Sequence, residues 1–236
     1  MLGLPDSIRV VLFDLDGVLT STAVLHRRAW KQAFDTFLRQ RDPDRFEPFT
    51  EQDYLSYVDG RARLDGVRTF LRSRRIEVDE QTVEAIGTGK NDEFLACVAR
   101  GEVEPYPGSV RYLEAVEKAG LQIGVVTSSK NGADVLDAAD LSRFVRARID
   151  GRDIAAAGMP GKPAPDAYLA GAEAFGVAPD EATVFEDAIS GLEAGKAGGF
   201  GYVVGVDRVG NAEHAAAMRS AGADVVVTDL AELLDR

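Results

Sequence analysis

The sequence predicts an α/β protein: a doubly wound parallel sheet carrying an all-helical insert near its start. Three observations predict it. Short β-branched runs alternate with helical segments from residue 107 onward, residues 21–100 show helical periodicity and no convincing strand, and three polar clusters follow directly on apolar runs.

Residues 8–13, IRVVLF, form the first expected strand and run straight into DLDG, so a buried strand ends there in a polar loop. From Thr22 to about Gln40, Ala29, Trp30, Ala33, Phe34, Phe37 and Leu38 recur at helical spacing. Further helices are expected at about 50–58, 66–74 and 79–99, the last interrupted near Gly87, with 41–49 as a loop. A helix starting near Pro107 is followed by strand LQIGVV, a helix from about 131, the short strand FVRARI and a helix from about 165. Strand ATVF, a helix from about 188, strand GYVVGV, a helix near 212 and strand DVVV complete the chain. Joining the first strand to those after residue 120 in one Rossmann-like sheet makes 1–20 with 101–236 a core and 21–100 an inserted helical cap, with a cleft between them.

Composition narrows the partners. The 236 residues, 45% of them hydrophobic, suffice for a domain plus an insert. A net charge of −12 argues against nucleic acid or an anionic membrane as partner, and no apolar run approaches the roughly 18 residues of a bilayer span. The N-terminus shows no leader pattern, and the single cysteine, Cys97, lies in the apolar stretch FLACVA, where core packing is the expectation; a reducing cytoplasm fits. Gly199-Phe200-Gly201 precedes a strand and opens no helix, so it is not a dinucleotide fingerprint.

The chemistry-bearing clusters are Asp14 and Asp16 after VVLF, Thr127, Ser128 and Ser129 after IGVV, and Glu186 with Asp187 after TVF. All three are expected at the carboxyl ends of parallel strands, where open α/β sheets bind ligands. One such cluster alone reads as an ordinary turn or helix cap; three together do not. Four carboxylates at one sheet edge repel unless a cation or a proton relieves them, and with no Cys or His adjoining them the all-oxygen donor set implies a hard ion such as Mg2+. Thr127, Ser128 and Ser129 read as the start of a helix, whose free N–H groups would cradle an anion, and Lys162, between prolines in GKPAPD, offers a fixed positive charge.

The motifs DLDGVLT, VVTSSKN, GKPAPD and FEDAISGLEAG resemble, in order, the four motifs of the haloacid dehalogenase superfamily. That resemblance implies Asp14 as covalent nucleophile, Asp16 as general acid and base, Thr127 and Lys162 on the transferring phosphoryl oxygens, and magnesium on Asp14, the Asp16 carbonyl, Glu186 and Asp187. DLDGVLTSTAVLHRRAW, DGRARLDG and GKNDEF further resemble the cap of the β-phosphoglucomutase-like family. By that similarity His26 gates Asp16, Arg63 grips the phosphate that is not transferred, and Lys90 contacts the sugar phosphate. Ser129, Lys130 and Asn131, beside Ser128, would complete the core-side phosphate site. Arg61 shares the loop with Arg63 and competes for its role, and Trp30 lies on an apolar face suited to packing or to sugar stacking.

The chain also departs from the pattern: RQRDPDRFEPFTEQDYLSYVDG is long, and GRARLDG lacks the serine and acidic residue expected beside the arginine. The implied reaction is interconversion of β-glucose 1-phosphate and glucose 6-phosphate, with glucose 1,6-bisphosphate as activator. A sugar-phosphate phosphatase sharing the first half-reaction is the alternative, and a receiver-like phosphoacceptor switch is a third reading that the helical insert disfavours.

Overall fold

The fold is seen in a computed structural model that describes residues 1–234. Six parallel strands form the sheet: β1 (Val10–Phe13), β2 (Gln122–Val126), β3 (Ala147–Ile149), β4 (Ala182–Glu186), β5 (Tyr202–Val206) and β6 (Val225–Val227), in the spatial order β3-β2-β1-β4-β5-β6. β1 and β4 are buried along their whole length, as central strands covered on both faces are; β1 is wholly apolar, and β4 carries Thr183 and Glu186 among apolar residues.

The order reverses between β1 and β4, and the crevice at such a reversal is where open α/β sheets bind ligands. Register fixes what stands there. Phe13 pairs with Phe185 and with Val125, so Asp14 comes opposite Glu186, and Thr127 follows one residue beyond Asp14's level on β2. Beneath the site the Phe13 and Phe185 rings stack at 4.4 Å, with Tyr112 at the edge of Phe13.

Five α-helices lie between β1 and β2 among the described residues: α1 (Thr22–Arg41), α2 (Glu51–Tyr57), α3 (Arg63–Ser73), α4 (Glu80–Ala99) and α5 (Pro107–Lys118). Trp30, Phe34, Phe49, Phe70 and Val83 belong to a hydrophobic cluster of α1–α4 and their loops. The ends nearest the sheet join the core: Leu25 and Ala29 of α1, and Phe94 and Cys97 of α4, pack with Phe13 and Tyr112. Cys97 is a buried core residue, as its apolar setting suggests.

After β2 come α6 (Gly132–Ala138), α7 (Gly151–Ala156), α8 (Asp166–Glu173), α9 (Ile189–Ala197) and α10 (Ala212–Ser220). None of the described helices is long and apolar enough to cross a membrane.

Four local expectations need correction. α4 runs unbroken through Gly87, because that glycine is a notch for the neighbouring helix: a Cβ there would stand 2.9 Å from Leu64 Cδ2. α3 begins at Arg63, three residues before its apolar periodicity shows. Thr127–Asn131 forms a loop, not a helical start, since the Thr127 and Ser129 hydroxyls accept the N–H groups of Ser129 and Asn131 and α6 begins only at Gly132. α7, absent from the sequence reading, is capped by Asp150, whose side chain accepts the N–H groups of Arg152 and Asp153.

Phe34 is fully buried between the rings of Trp30, Phe49 and Phe70. Phe34→Ala should lower the unfolding free energy by about 3–5 kcal/mol in urea denaturation. A loss below about 1 kcal/mol would mean that these rings do not form a close-packed core.

Candidate active site

Lys162 stands at the centre of the crevice. Its side chain is 1% exposed, and its Nζ donates to Asp14 Oδ1 and to Glu186 Oε1, each at 2.6 Å. Tyr168 of α8 donates its hydroxyl to the same Glu186 oxygen at 3.1 Å, and the Ala188 N–H occupies Oε2 at 2.9 Å. Asp14 Oδ2 accepts the Asp16 N–H, so the loop after β1 fixes the carboxylate from its other side.

Burial, with Glu186 and Asp16 adding repulsion, pushes Asp14 well above the ordinary carboxylate range against the pull of Lys162. Burial opposes the charge of Lys162, but Asp14 and Glu186 outweigh it and keep the ammonium protonated.

Asp16 is held differently. Its Oδ1 accepts the Thr22 hydroxyl at 2.5 Å and lies 3.2 Å from His26 Nε2, and its Oδ2 accepts the Thr127 hydroxyl at 3.2 Å. Burial raises its pKa, but His26, Thr22 and Lys90 together outweigh that and bring it to about 2. Lys90 of α4 contacts His26 Nδ1. Burial lowers the His26 pKa and Lys90 lowers it further, so the ring is neutral; with the lysine charged, the consistent arrangement has Lys90 donating to Nδ1 and Nε2–H donating to the carboxylate. Phe94 stacks on His26 at 4.0 Å and fixes the ring. Lys90 itself, over the Trp30 and Phe94 rings, is brought down to about 7 by burial and by Arg63, against the pull of Asp16.

A cavity of about 340 Å³ joins these groups. Asp14, Asp16, His26, Trp30, Arg63, Lys90, Thr127, Ser128, Ser129, Lys130, Asn131, Glu186 and Asp187 all line it, and Lys162 reaches it through Asp14 and Glu186. Every residue singled out from the sequence is therefore brought to one place. Arg61 and Arg63 both line the cavity, but the Arg63 Nε is buried without a partner among the described residues, an orphan donor suited to an anionic ligand. Trp30 serves packing and cavity at once, stacked on Phe34 at 5.0 Å with Lys90 above its ring.

Several residues were missed. Thr22, Tyr168 and Asn91 act through hydrogen bonds to Asp16, Glu186 and Asn131, which no spacing announces. Asp59, in the loop before α3, had a signal in VDG ahead of the two arginines. It is raised to about 6 by burial, with Glu186 adding repulsion against a hydrogen bond from Tyr54 and the charge of Lys162.

Among the described residues no three His, Cys, Asp or Glu side chains form a ready metal cage. The donors are nevertheless all oxygen, and Asp187 is raised well above its ordinary value by burial and by Asp59, Glu186 and Asp14. Room for that carboxylate exists only because residue 17 is glycine, whose Cβ would occupy the Asp187 Oδ2 position. One or two carboxylates completed by backbone, water and a substrate phosphate suit Mg2+ better than a closed cage does.

Comparison with known proteins gives the lineage: the family described as haloacid dehalogenase-like hydrolase matches residues 8–199. The chain belongs to this family. It is an enzyme of the haloacid dehalogenase type. It is 51% identical over 247 residues to the "Beta-phosphoglucomutase" of Mycobacterium bovis, covering 99% of this chain and 94% of the relative. The structure of CbbY from Rhodobacter sphaeroides in complex with phosphate is similar at TM-score 0.74 and 26% identity, covering 96% of each chain. The β-phosphoglucomutase structure from Clostridium difficile shares the fold at TM-score 0.78 and 24% identity, covering 96% of this chain and 93% of that one.

The raised pKa of Asp59 has a stability consequence of definite sign. Between its ordinary value of 3.8 and about 6 the folded protein keeps a proton that the unfolded chain has released, so this group's contribution to stability falls as pH rises through that window. In metal-free protein Asp59→Asn should raise the unfolding free energy by on the order of 1–2 kcal/mol at about pH 8, and the gain should vanish below about pH 4. Urea denaturation at both pH values checks this; equal effects at both would contradict it.

Proposed function

We propose that this haloacid dehalogenase-family enzyme is a phosphomutase that interconverts β-glucose 1-phosphate and glucose 6-phosphate through phosphate carried on Asp14. The observation that carries the reading is the contact of His26 Nε2, from the insert, with Asp16 at 3.2 Å, with Lys90 behind it on His26 Nδ1. Residues 21–100 then act as a cap over a core of 1–20 and 101–236, and the acid-base group is set for catalysis by the closed cap. The 51% identity to the Mycobacterium bovis relative supports the same reading.

In the transfer, the free sugar hydroxyl gives its proton to Asp16 and its oxygen attacks phosphorus as the bond from phosphorus to Asp14 breaks. The bisphosphate rebinds reversed. Asp14 then attacks the other phosphoryl group, and the departing sugar oxygen takes the proton from Asp16. An arriving phosphoryl group adds negative charge beside Asp16 and raises its proton affinity toward what this exchange needs.

Thr127 and Lys162 hold the transferring group. Arg63 and Lys90 from the cap, with Ser129, Lys130 and Asn131 from the core, hold the sugar and the other phosphate, and Ser128, whose hydroxyl donates to the Gly60 carbonyl, offers a ligand its backbone N–H. Magnesium, bound by Asp14, Asp187 and the Asp16 carbonyl with Glu186 behind them, would offset charge on the phosphoryl oxygens. Glu186, already accepting from Lys162, Tyr168 and Ala188, is better placed to orient Lys162 than to meet the ion directly. The setting is cytoplasmic, and the partners are small sugar phosphates, with glucose 1,6-bisphosphate as the primer that first phosphorylates Asp14.

Phosphorus NMR of β-glucose 1-phosphate incubated with enzyme, magnesium and trace glucose 1,6-bisphosphate tests the proposal. Glucose 6-phosphate should accumulate after a lag that the bisphosphate removes, and EDTA or Asp14→Asn should abolish the conversion. Steady release of inorganic phosphate with no glucose 6-phosphate would assign a sugar-phosphate phosphatase instead.

A further inference from the structure

Two serines of the core reach across to the insert. Ser128, in the loop after β2, donates its hydroxyl to the Gly60 carbonyl at 2.8 Å, and Ser190, in the first turn of α9, donates to the Asp59 carbonyl at 3.1 Å. These are successive carbonyls of the loop between α2 and α3, and no backbone N–H among the described residues donates to either. The serines follow β2 and β4, the two neighbours of β1, so the loop is fastened on both sides of the strand that carries Asp14.

Fit supports the fastening. Gly60 adopts φ +70 and lies so close to α9 that a Cβ would collide with Ser190 Oγ and stand 2.9 Å from the Ala188 Cβ. On the far side of the cavity, Asn131 of the core donates to Asn91 of α4 at 3.0 Å. Ser190 is 7% exposed and does not line the cavity, so binding of a ligand there does not account for its hydroxyl.

We infer that Ser128 and Ser190 form a two-point latch on the cap loop that sets whether a sugar hydroxyl or water accepts the phosphoryl group from Asp14. The inference rests on the transfer reading above. When water is the acceptor its oxygen attacks phosphorus, the bond to Asp14 breaks, one proton passes to Asp16 and inorganic phosphate leaves. The chemistry is that of the productive transfer with a smaller acceptor, so the active site discriminates by keeping water out while the loop is down. Ser190 is thus a positioning residue, acting through the loop it holds.

The test compares wild type with Ser190→Ala, Ser128→Ala, the double variant and Ser128→Thr. Phosphate release and glucose 6-phosphate formation are measured in one incubation with magnesium and bisphosphate, and amide hydrogen exchange is followed in residues 58–62. Removing one neutral hydrogen bond should raise the ratio of release to isomerisation about two- to tenfold, and the double variant should raise it further. Exchange in the loop should quicken, and Ser128→Thr should restore the wild-type ratio. An unchanged ratio in the double variant, while wild type isomerises, would overturn the latch. If wild type forms no glucose 6-phosphate, the transfer reading is what fails; loop exchange unchanged in the double variant would then overturn the latch independently.

Discussion

The site depends on one constraint: carboxylates crowd at the point where the sheet reverses direction, and only one buried ammonium lies between two of them. Lys162 satisfies one oxygen each of Asp14 and Glu186 at 2.6 Å. Without that charge both acids would face each other, buried, across adjacent strands, a situation that costs several kcal/mol per unpaired ion. The stacked Phe13 and Phe185 rings below hold the two strands in the register that creates the problem, and Tyr168 and the Ala188 N–H complete its solution. Asp187 and Asp59 accept no hydrogen bond from Lys162, and burial, with repulsion from neighbouring carboxylates added to it, raises both pKa values.

Asp16 is held from two parts of the chain. Thr127 comes from the sheet and Thr22 from the first turn of α1, while His26 and Lys90 belong to the insert helices. Because α1 and α4 also send Leu25, Ala29, Phe94 and Cys97 into the core cluster, the helices that position His26 and Lys90 are anchored at their sheet-proximal ends. The loop between α2 and α3 is attached more lightly, by side-chain hydrogen bonds to Ser128 and Ser190. The lightly attached loop lines the cavity, and the helices packed into the core stand beside Asp16.

Strand positions and the residues that follow them were legible in the sequence because a buried parallel strand must be a continuous apolar run, and the polar residue after it must sit at the sheet edge. Asp14, Thr127 and Glu186 were found in that way. Resemblance to a known family supplied His26, Arg63 and Lys90, which lie on helices where spacing alone distinguishes no ligand from a surface residue. What stayed illegible depends on distant partners. Gly87 reads as a helix breaker until Leu64 is seen to fill the space beside it, and the serine-rich stretch after β2 reads as a helix start until its hydroxyls are seen to bind its own backbone. Ser190 looks like any first-turn serine until the cap loop is laid against it.

The proposed reaction routes the phosphoryl group between substrates through Asp14. Its most direct test is rapid acid quenching of enzyme turning over β-glucose 1-phosphate with magnesium and glucose 1,6-bisphosphate, followed by peptide mass spectrometry to locate the modified carboxylate. Phosphate should be found on Asp14 at a level that rises and falls with turnover. Turnover with no phosphoenzyme, or with phosphate on another residue, would contradict it.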